Sequence, residues 1–317
     1  MSAATSSWTT DAIPDLSGKT FLVTGANAGL GYEASKELAR KNGHVVMAVR
    51  DAEKGDEALR MIRKEIGGGG KMDLMMVDMA DFGSVKRFAE EYKSKGFPIH
   101  GLINNAGIFL VKPETTADGF EITTKTNHFG PVLLTLLLLD VVKKSAPSRL
   151  IWVGSPAEAF GSPDWTDLKG AKDTSSDMDM YGRTKLFNIM SSMEFNRRLQ
   201  GSHVESFSCH PGVAKTDLYA PGKMDKDKLT SKVIDTTQKF AGQSQERGAL
   251  SLLMTATEPS LTGKGGTNWG PNTLNMNNTT ERGTSSEEPW DDAATSRLLN
   301  ETIRILEETT GDKLPVP

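Results

Sequence analysis

The sequence predicts an α/β fold: one doubly wound parallel sheet of about seven strands, flanked by helices and followed by a C-terminal lid and extension. Three observations carry this. Short apolar runs alternate with longer amphipathic ones as far as about residue 210. Their spacing is that of βαβ units, which put parallel strands into one sheet and helices on its faces. A glycine-rich turn joins the first apolar run to the first amphipathic one, at the end of the sheet where such folds hold ligands.

In chain order, 20–24 (TFLVT), 44–49 (HVVMAV), 72–77 (MDLMMV), 101–104 (GLIN), 150–153 (LIWV) and 204–208 (VESFS) read as strands. Between them, 32–41, 53–66, 82–95, 129–144 and 181–199 read as helices from their apolar spacing. Glycines 67–70 lie between a helix and a strand, far from any strand-to-helix turn, and read as a flexible connection. Past about residue 210 the alternation stops. Residues 211–245, rich in Lys, Asp and Gly, read as a lid or substrate loop. A helix over 245–257, a last strand over 267–270 and a closing amphipathic helix over 291–308 follow, with a polar surface stretch at 271–289.

Composition narrows the function classes. With 317 residues, 37% hydrophobic and 25% charged, the chain can bury a large core, which excludes wholesale disorder. A net charge of −4 without a basic block argues against nucleic acid or an anionic membrane surface as the main partner. The one cysteine, Cys209, cannot form an intrachain disulfide, which suits a reducing, cytoplasmic setting. Residues 1–17 carry no Lys or Arg and lack the pattern of a secretory or transit peptide. The most apolar run, 132–142, is interrupted by Thr135 and Asp140 and falls short of the ~20 residues that span a bilayer. No His/Cys/Asp/Glu group has metal-ligand spacing, so no metal is expected.

The turn reads Thr24-Gly25-Ala26-Asn27-Ala28-Gly29-Leu30-Gly31. Glycines there allow a tight turn and let backbone approach a pyrophosphate, while the helix N-terminus offers unpaired N–H groups and a favourable dipole. TGANAGLG, then Asn104-Asn105-Ala106-Gly107 (NNAG), then Tyr181-Gly182-Arg183-Thr184-Lys185 (YxxxK), resembles the short-chain dehydrogenase/reductase family. His128 after Asn127, the YGRTKLFNIM helix and His210-Pro211-Gly212-Val213 resemble its retinol dehydrogenase/WW-domain oxidoreductase branch. The resemblance is good over 18–215 and loose beyond. It implies a Rossmann-type NAD(P)-binding catalytic domain over 18–270, an N-terminal extension 1–17 and a C-terminal extension 271–317.

The second strand ends on apolar Val49 and is followed by Arg50, where an NAD enzyme would commonly place a ribose-binding acid. Arginine suits a 2′-phosphate through its bidentate fork, so NADP(H) is expected over NAD(H). Asp51 offers the alternative, a ribose contact if the strand ends one residue later. The resemblance places Gly25, Asn27, Ala28, Gly29, Leu30 and Gly31 at the pyrophosphate end. It puts Asp78, Asn104, Ala106 and Gly107 on the adenosine side, and Pro211, Gly212, Val213 and Thr216 near the nicotinamide.

Free tyrosine titrates near 10, too high for easy proton exchange at neutral pH, and a neighbouring ammonium favours the phenolate. Tyr181 and Lys185, at i and i+4, share a helix face. By resemblance Tyr181 is the general acid/base, Lys185 lowers its pKa and holds the nicotinamide ribose, Ser155 polarises the substrate oxygen, and Asn127 anchors a proton relay. The family's usual Ser-Ser reads Gly154-Ser155 here and is followed by Pro156, which leaves Ser162 as a fallback. Cys209 reads as a small buried side chain, and His210 as structural.

The reading is therefore an oxidoreductase acting on a carbonyl or alcohol of an apolar small molecule. A protochlorophyllide-reductase-like enzyme is one rival, since that family shares the YxxxKxxN helix. Val213-Ala214 stands where it carries a cysteine. The other rival is a catalytically silent dinucleotide-binding sensor or scaffold. Helices 132–142 and 181–199 resemble the pair that dimerises in this family, or else simply pack on the sheet, so both monomer and homodimer stay open.

Overall fold

The computed structural model describes residues 8–109, 114–172, 176–212, 244–272, 275–282 and 291–317, with residues 272 and 275–282 described as backbone only. The first half alternates β1 (Thr20–Thr24), α1 (Gly29–Arg40), β2 (His44–Val49), α2 (Ala52–Ile66), β3 (Met72–Met76), α3 (Phe82–Ser94) and β4 (Gly101–Asn104). A short turn α4 (Ile122–Thr124) and a π-helical turn (Lys125–Phe129) lead into α5 (Gly130–Leu137) and α6 (Leu139–Lys144). Then come β5 (Ser148–Val153), a 3₁₀ turn (Pro156–Phe160), α7 (Asp177–Arg198), β6 (Val204–Cys209) and α8 (Gln245–Thr257). The strands β7 (Asn268–Asn272) and β8 (Asn275–Arg282) precede a closing helix, α9 (Asp292–Thr310).

The strands form one sheet in the order β3-β2-β1-β4-β5-β6-β7-β8. From β3 to β7 every pairing is parallel, with Leu22 opposite both Val46 and Leu102 in the centre. The order reverses at β1, so the crevice beyond the β1 and β4 ends is where such a sheet opens for a ligand. All five β1 residues are buried, as expected of a strand covered on both faces.

Helices cover both faces with separate apolar layers. On one side Val85 and Phe88 of α3, Leu133 and Leu134 of α5, Leu186 and Phe187 of α7, and Leu298 and Leu299 of α9 share a cluster. On the other, Ala34 and Leu38 of α1, Leu59 and Ile62 of α2, and Leu252 and Leu253 of α8 pack together. Both helices that resemble the family's dimer pair thus pack with α9 of the same chain. Its Thr302 hydroxyl lies 2.9 Å from His128 Nε2, and Arg198 of α7 donates to Asn300 Oδ1 at 2.7 Å.

Two departures from the sequence reading have physical causes. The expected polar surface stretch after 271 contains β8, which runs antiparallel to β7 from Asn268↔Arg282 onward. Its sequence, NMNNTTER, has no apolar alternation, and an edge strand needs none because backbone pairing holds it. The single helix expected over 129–144 is instead broken at Leu138 (φ −100°, ψ 4°), between α5 and α6, and is entered through a π-helical turn. Pro131 has no N–H to return to the carbonyl of Asn127, and Gly130 N bonds Lys125 O five residues back, so a wide turn precedes α5. Glycines 67–70 connect α2 to β3: Gly67 to Gly69 are exposed, Gly67 (φ 63°) closes α2, and a Cβ on Gly70 would lie 1.8 Å from the Gly43 carbonyl oxygen.

Among the described residues, no helix is long and apolar enough to cross a membrane, and no group of three or more His, Cys, Asp or Glu side chains is placed to hold a metal.

Candidate active site

A cavity of about 520 Å³ opens at the carboxyl ends of β1 to β6. Its first wall is the β1–α1 turn. Gly25 takes φ 66°, a conformation that favours glycine, and its N–H bonds the Ala48 carbonyl at 2.8 Å. A Cβ on Gly31 would stand 2.3 Å from the Gly25 carbonyl oxygen, so this glycine allows the helix to close on the turn. The Thr24 hydroxyl donates to the Ile103 carbonyl at 3.2 Å and accepts from the N–H groups of Asn105 (3.0 Å) and Ala106 (2.9 Å). Asn105 Nδ2 donates to the Thr24 carbonyl at 2.8 Å. The turn after β1 and the NNAG turn after β4 are thereby one rigid unit.

Helix α1 starts differently from the other long helices. Asp51, Asp81, Ser176, Ser244 and Asp291 each cap a helix with a side chain. Ala28 at the start of α1 cannot, and its first turn holds no acid. The unpaired donors and dipole of α1 therefore face a cavity lined by Gly25, Asn27, Ala28, Gly29 and Leu30. That is the arrangement an anionic pyrophosphate requires, and the residues present fit a dinucleotide. At the β2 end the lining is Ala48, Val49, Arg50, Asp51 and Lys54. Asp51 is committed locally: it accepts from the Lys54 N–H at 3.1 Å, and that bond holds its carboxyl below the usual range.

Helix α7 carries the other chemistry. Its start is set by a reciprocal capping box between Ser176 and Asp179. Tyr181 and Lys185 both line the cavity, with Lys185 Nζ 5.4 Å from the centroid of the Tyr181 ring. Lys185 Nζ donates to the Val153 carbonyl at 3.0 Å, and Asn188 Nδ2 donates to the same oxygen at 3.2 Å. Complete burial pushes the Lys185 ammonium down to about 8. Ser155 follows β5 and caps the 3₁₀ turn, its Oγ accepting from the Ala157 N–H at 3.2 Å. Because Oγ accepts in that bond, its hydroxyl proton can be donated elsewhere, as an oxyanion donor needs. The Phe109 ring lies 4.2 Å from that of Tyr181 at 42°.

Most of the sequence-predicted set meets in this cavity: Gly25, Asn27, Ala28, Gly29, Leu30, Arg50, Asp78, Ala106, Gly107, Ser155, Tyr181, Lys185, Pro211 and Gly212. Asn104, expected on the adenosine side, is instead buried on the α5 side, where its Nδ2 donates to Thr135 Oγ1 at 3.1 Å. Side chains alternate across a strand, so Asn105 takes the cavity side. Gly31 stands behind the lining, in the turn's own packing. Asn127 is fully buried and outside the lining; it accepts from Ile108 N–H at 2.8 Å and donates to Ile108 O at 2.9 Å and Thr184 Oγ1 at 3.1 Å. It positions the loop after β4. Val213 and Thr216 lie outside the described residues. Ser162, the fallback, is absent from the lining, while its carbonyl accepts from Arg183 Nε at 2.9 Å.

The sequence reading missed Asn105, Phe109 and Lys54. Lys54 had a signal: a cation in the first turn of a helix opposes the dipole and asks for a nearby anion. Cys209 is buried, which pushes its thiol up to about 12, and it is no nucleophile. His210 accepts from the Gly212 N–H at 3.1 Å, and its ring sits where a Cβ on Gly270 would be, so it braces the turn after β6.

Fold and site together define a doubly wound α/β protein in which one cavity joins a glycine-rich turn at an uncapped helix start to Ser155, Tyr181 and Lys185. A family model described as short chain dehydrogenase matches residues 19–227, and the chain belongs to that family of oxidoreductases. Mouse retinol dehydrogenase 11 is 39% identical over 203 residues, 64% of this chain and 64% of that protein. Chicken WW domain-containing oxidoreductase is 36% identical over 259 residues, 80% of this chain and 61% of the relative. The matches therefore span less than two thirds of these curated relatives. A crystal structure of a Mycobacterium paratuberculosis protein superposes with TM-score 0.75 at 30% identity, covering 98% of this chain and all of that one. A short-chain dehydrogenase from Sphingobium yanoikuyae, solved in complex with NADPH, shares the fold with TM-score 0.58 at 21% identity over 74% of this chain and 83% of its own.

Proposed function

We propose that this protein is an NADP(H)-dependent oxidoreductase acting between a carbonyl and an alcohol of an apolar, retinoid-, steroid- or aldehyde/ketone-like substrate. One observation carries the reading: a single cavity joins the uncapped start of α1 and Arg50 to Ser155, Tyr181 and Lys185. When bound, the nicotinamide supplies or accepts the hydride. The chain's own residues do the rest. Gly25 to Leu30 receive the pyrophosphate on backbone N–H groups. Arg50 and Lys54 present two cations where a 2′-phosphate would lie, and Asp51, occupied by its own helix cap, is poorly placed to select a ribose hydroxyl.

At the reacting end the Ser155 hydroxyl donates to the substrate oxygen, and Tyr181 Oη gives that oxygen a proton in reduction or takes one in oxidation. Lys185 holds positive charge beside the phenol and favours its ionised form. Phe109 supplies an apolar wall against Tyr181, in keeping with an apolar substrate. Residues 18–270 act as one catalytic domain, working in the cytoplasm. The test is a panel of apolar aldehydes and ketones with NADPH and NADH as alternative reductants. Turnover that prefers NADPH supports the reading. Cofactor binding without turnover on any member would favour a silent dinucleotide sensor instead.

A further inference from the structure

The loop that carries Ser155 rests on α7 with nothing between the two backbones. Gly182, the residue after Tyr181, lies inside that helix, where glycine costs about 1 kcal/mol relative to alanine. A Cβ there would stand 2.4 Å from the Ala157 carbonyl oxygen and 3.1 Å from the Gly161 nitrogen. Gly161 faces it with φ −86° and ψ 143°, angles that any residue adopts, so its backbone does not require glycine. A Cβ on Gly161 would lie 2.6 Å from both the Gly182 carbonyl carbon and the Arg183 nitrogen. Two glycines thus face each other across the joint between the Ser155 loop and the Tyr181 helix, and neither is explained by its own conformation.

Both flanks of Ser155 are tied to the same helix. Ahead of it, the Val153 carbonyl accepts from Lys185 and Asn188 at 3.0 and 3.2 Å. Behind it, Arg183 Nε reaches the Ser162 carbonyl at 2.9 Å. Ser155 itself bonds Ala157, the residue whose carbonyl sits on Gly182. We infer that Gly182 and Gly161 are positioning residues that hold the Ser155 hydroxyl in register with Tyr181 by letting loop backbone lie directly on helix backbone. The inference rests on the acid–base roles proposed above. A methyl group at either position wedges the loop outward and moves Ser155, while the cofactor end, built on β1 and β4, is untouched.

The experiment is a double-mutant cycle. Gly182→Ala, alone and with Ser155→Ala, is assayed for kcat, for NADPH affinity by fluorescence titration and for hydrogen exchange over residues 156–162. Expected are a loss of about tenfold or more in kcat, NADPH affinity within about twofold, faster exchange in the loop, and less than about twofold further loss when Gly182→Ala is added to Ser155→Ala. Wild-type kcat in Gly182→Ala, or losses that multiply in the double variant, would overturn the inference. Gly161→Ala wedges the joint from the loop side and must reproduce the pattern if Gly182→Ala fails to fold. If the wild-type protein reduces no carbonyl, the functional reading fails. Hydrogen exchange then still decides the clamp, which is refuted by unchanged exchange in both variants.

Discussion

The two ends of the cavity are built by different means. At the cofactor end, Gly25 at φ 66° and Gly29 at φ 57° give the backbone a path that a side chain would strain, and Gly31 alone is there for close packing, against the turn itself. At the Ser155 end, Gly161 and Gly182 have ordinary geometry and are glycines because of what a side chain would strike. The first device is local and works within one strand–turn–helix unit. The second is tertiary, joining a loop to a helix that follows it in the chain. The division predicts that the cofactor end tolerates changes at the far end, and that Ser155 depends on the packing of α7.

The largest test of this division removes the hydroxyl proposed as proton donor. Tyr181→Phe should cut kcat by about 10²-fold or more, the usual worth of a general acid–base group, while NADPH affinity stays near wild type. Its ring still packs on Phe109. A variant that matches wild-type turnover would end the assignment of Tyr181.

The same contrast explains what was legible in the sequence. The strands and most helices followed from apolar period, and the turn after β1 from its place between a strand and a helix. Arg50 was readable because it follows the last apolar residue of β2. That the Asn104 side chain turns toward α5 was not legible, because a motif names neighbours but does not say which side of the sheet each faces. β8 was invisible since its cohesion is backbone pairing at an edge. Gly161 and Gly182 carried no signal at all, because the surface each must accommodate comes from elsewhere in the chain.

Lys185 offers a second test, of the buried charge between the two ends. Burial lowers its folded-state value to about 8 from 10.5. Between those two values the unfolded chain holds a proton that the folded protein has released. Stability of the ligand-free protein therefore gains from this group as pH rises from about 8 toward 10.5, and loses it again on the way down. The window corresponds to a few kcal/mol at most, about 1.4 per unit. Urea midpoints of wild type and Lys185→Met, compared from pH 7 to 10, should converge on Lys185's contribution, with the methionine variant relatively more stable at pH 7. A pH-independent difference would mean that the ammonium stays charged in the fold.

A third test aims at the cofactor end by its packing. Gly31→Val puts methyl groups where even a Cβ would lie 2.3 Å from the Gly25 carbonyl oxygen. Overpacking of this kind costs about 1–3 kcal/mol, and here the displaced atoms are those expected to meet the pyrophosphate. NADPH affinity should fall at least tenfold along with a lower Tm. Loop exchange over residues 156–162 should not change, which is the reverse of the pattern for Gly182→Ala. If both variants disturb both ends, the two are a single mechanical unit and the division fails.

The smallest expected effect concerns choice of cofactor. Arg50 lines the cavity at the end of β2 but takes no part in the strand pairing itself, so Arg50→Ala should leave Tm within a degree or two. A charge-assisted bond to phosphate is worth about 1.5–3 kcal/mol, which predicts about a tenfold or greater rise in the Kd for NADPH and little change for NADH. Lys54, one helical turn on, keeps part of the field, so a residual preference for NADPH should persist until Lys54→Ala is added. Turnover at saturating NADPH should match wild type, because the described contacts of Ser155, Tyr181 and Lys185 come from Ala157, Phe109 and Val153, none of them on β2. Equal losses for both cofactors would instead assign Arg50 to the pyrophosphate, and would leave the choice between NADP(H) and NAD(H) to another residue.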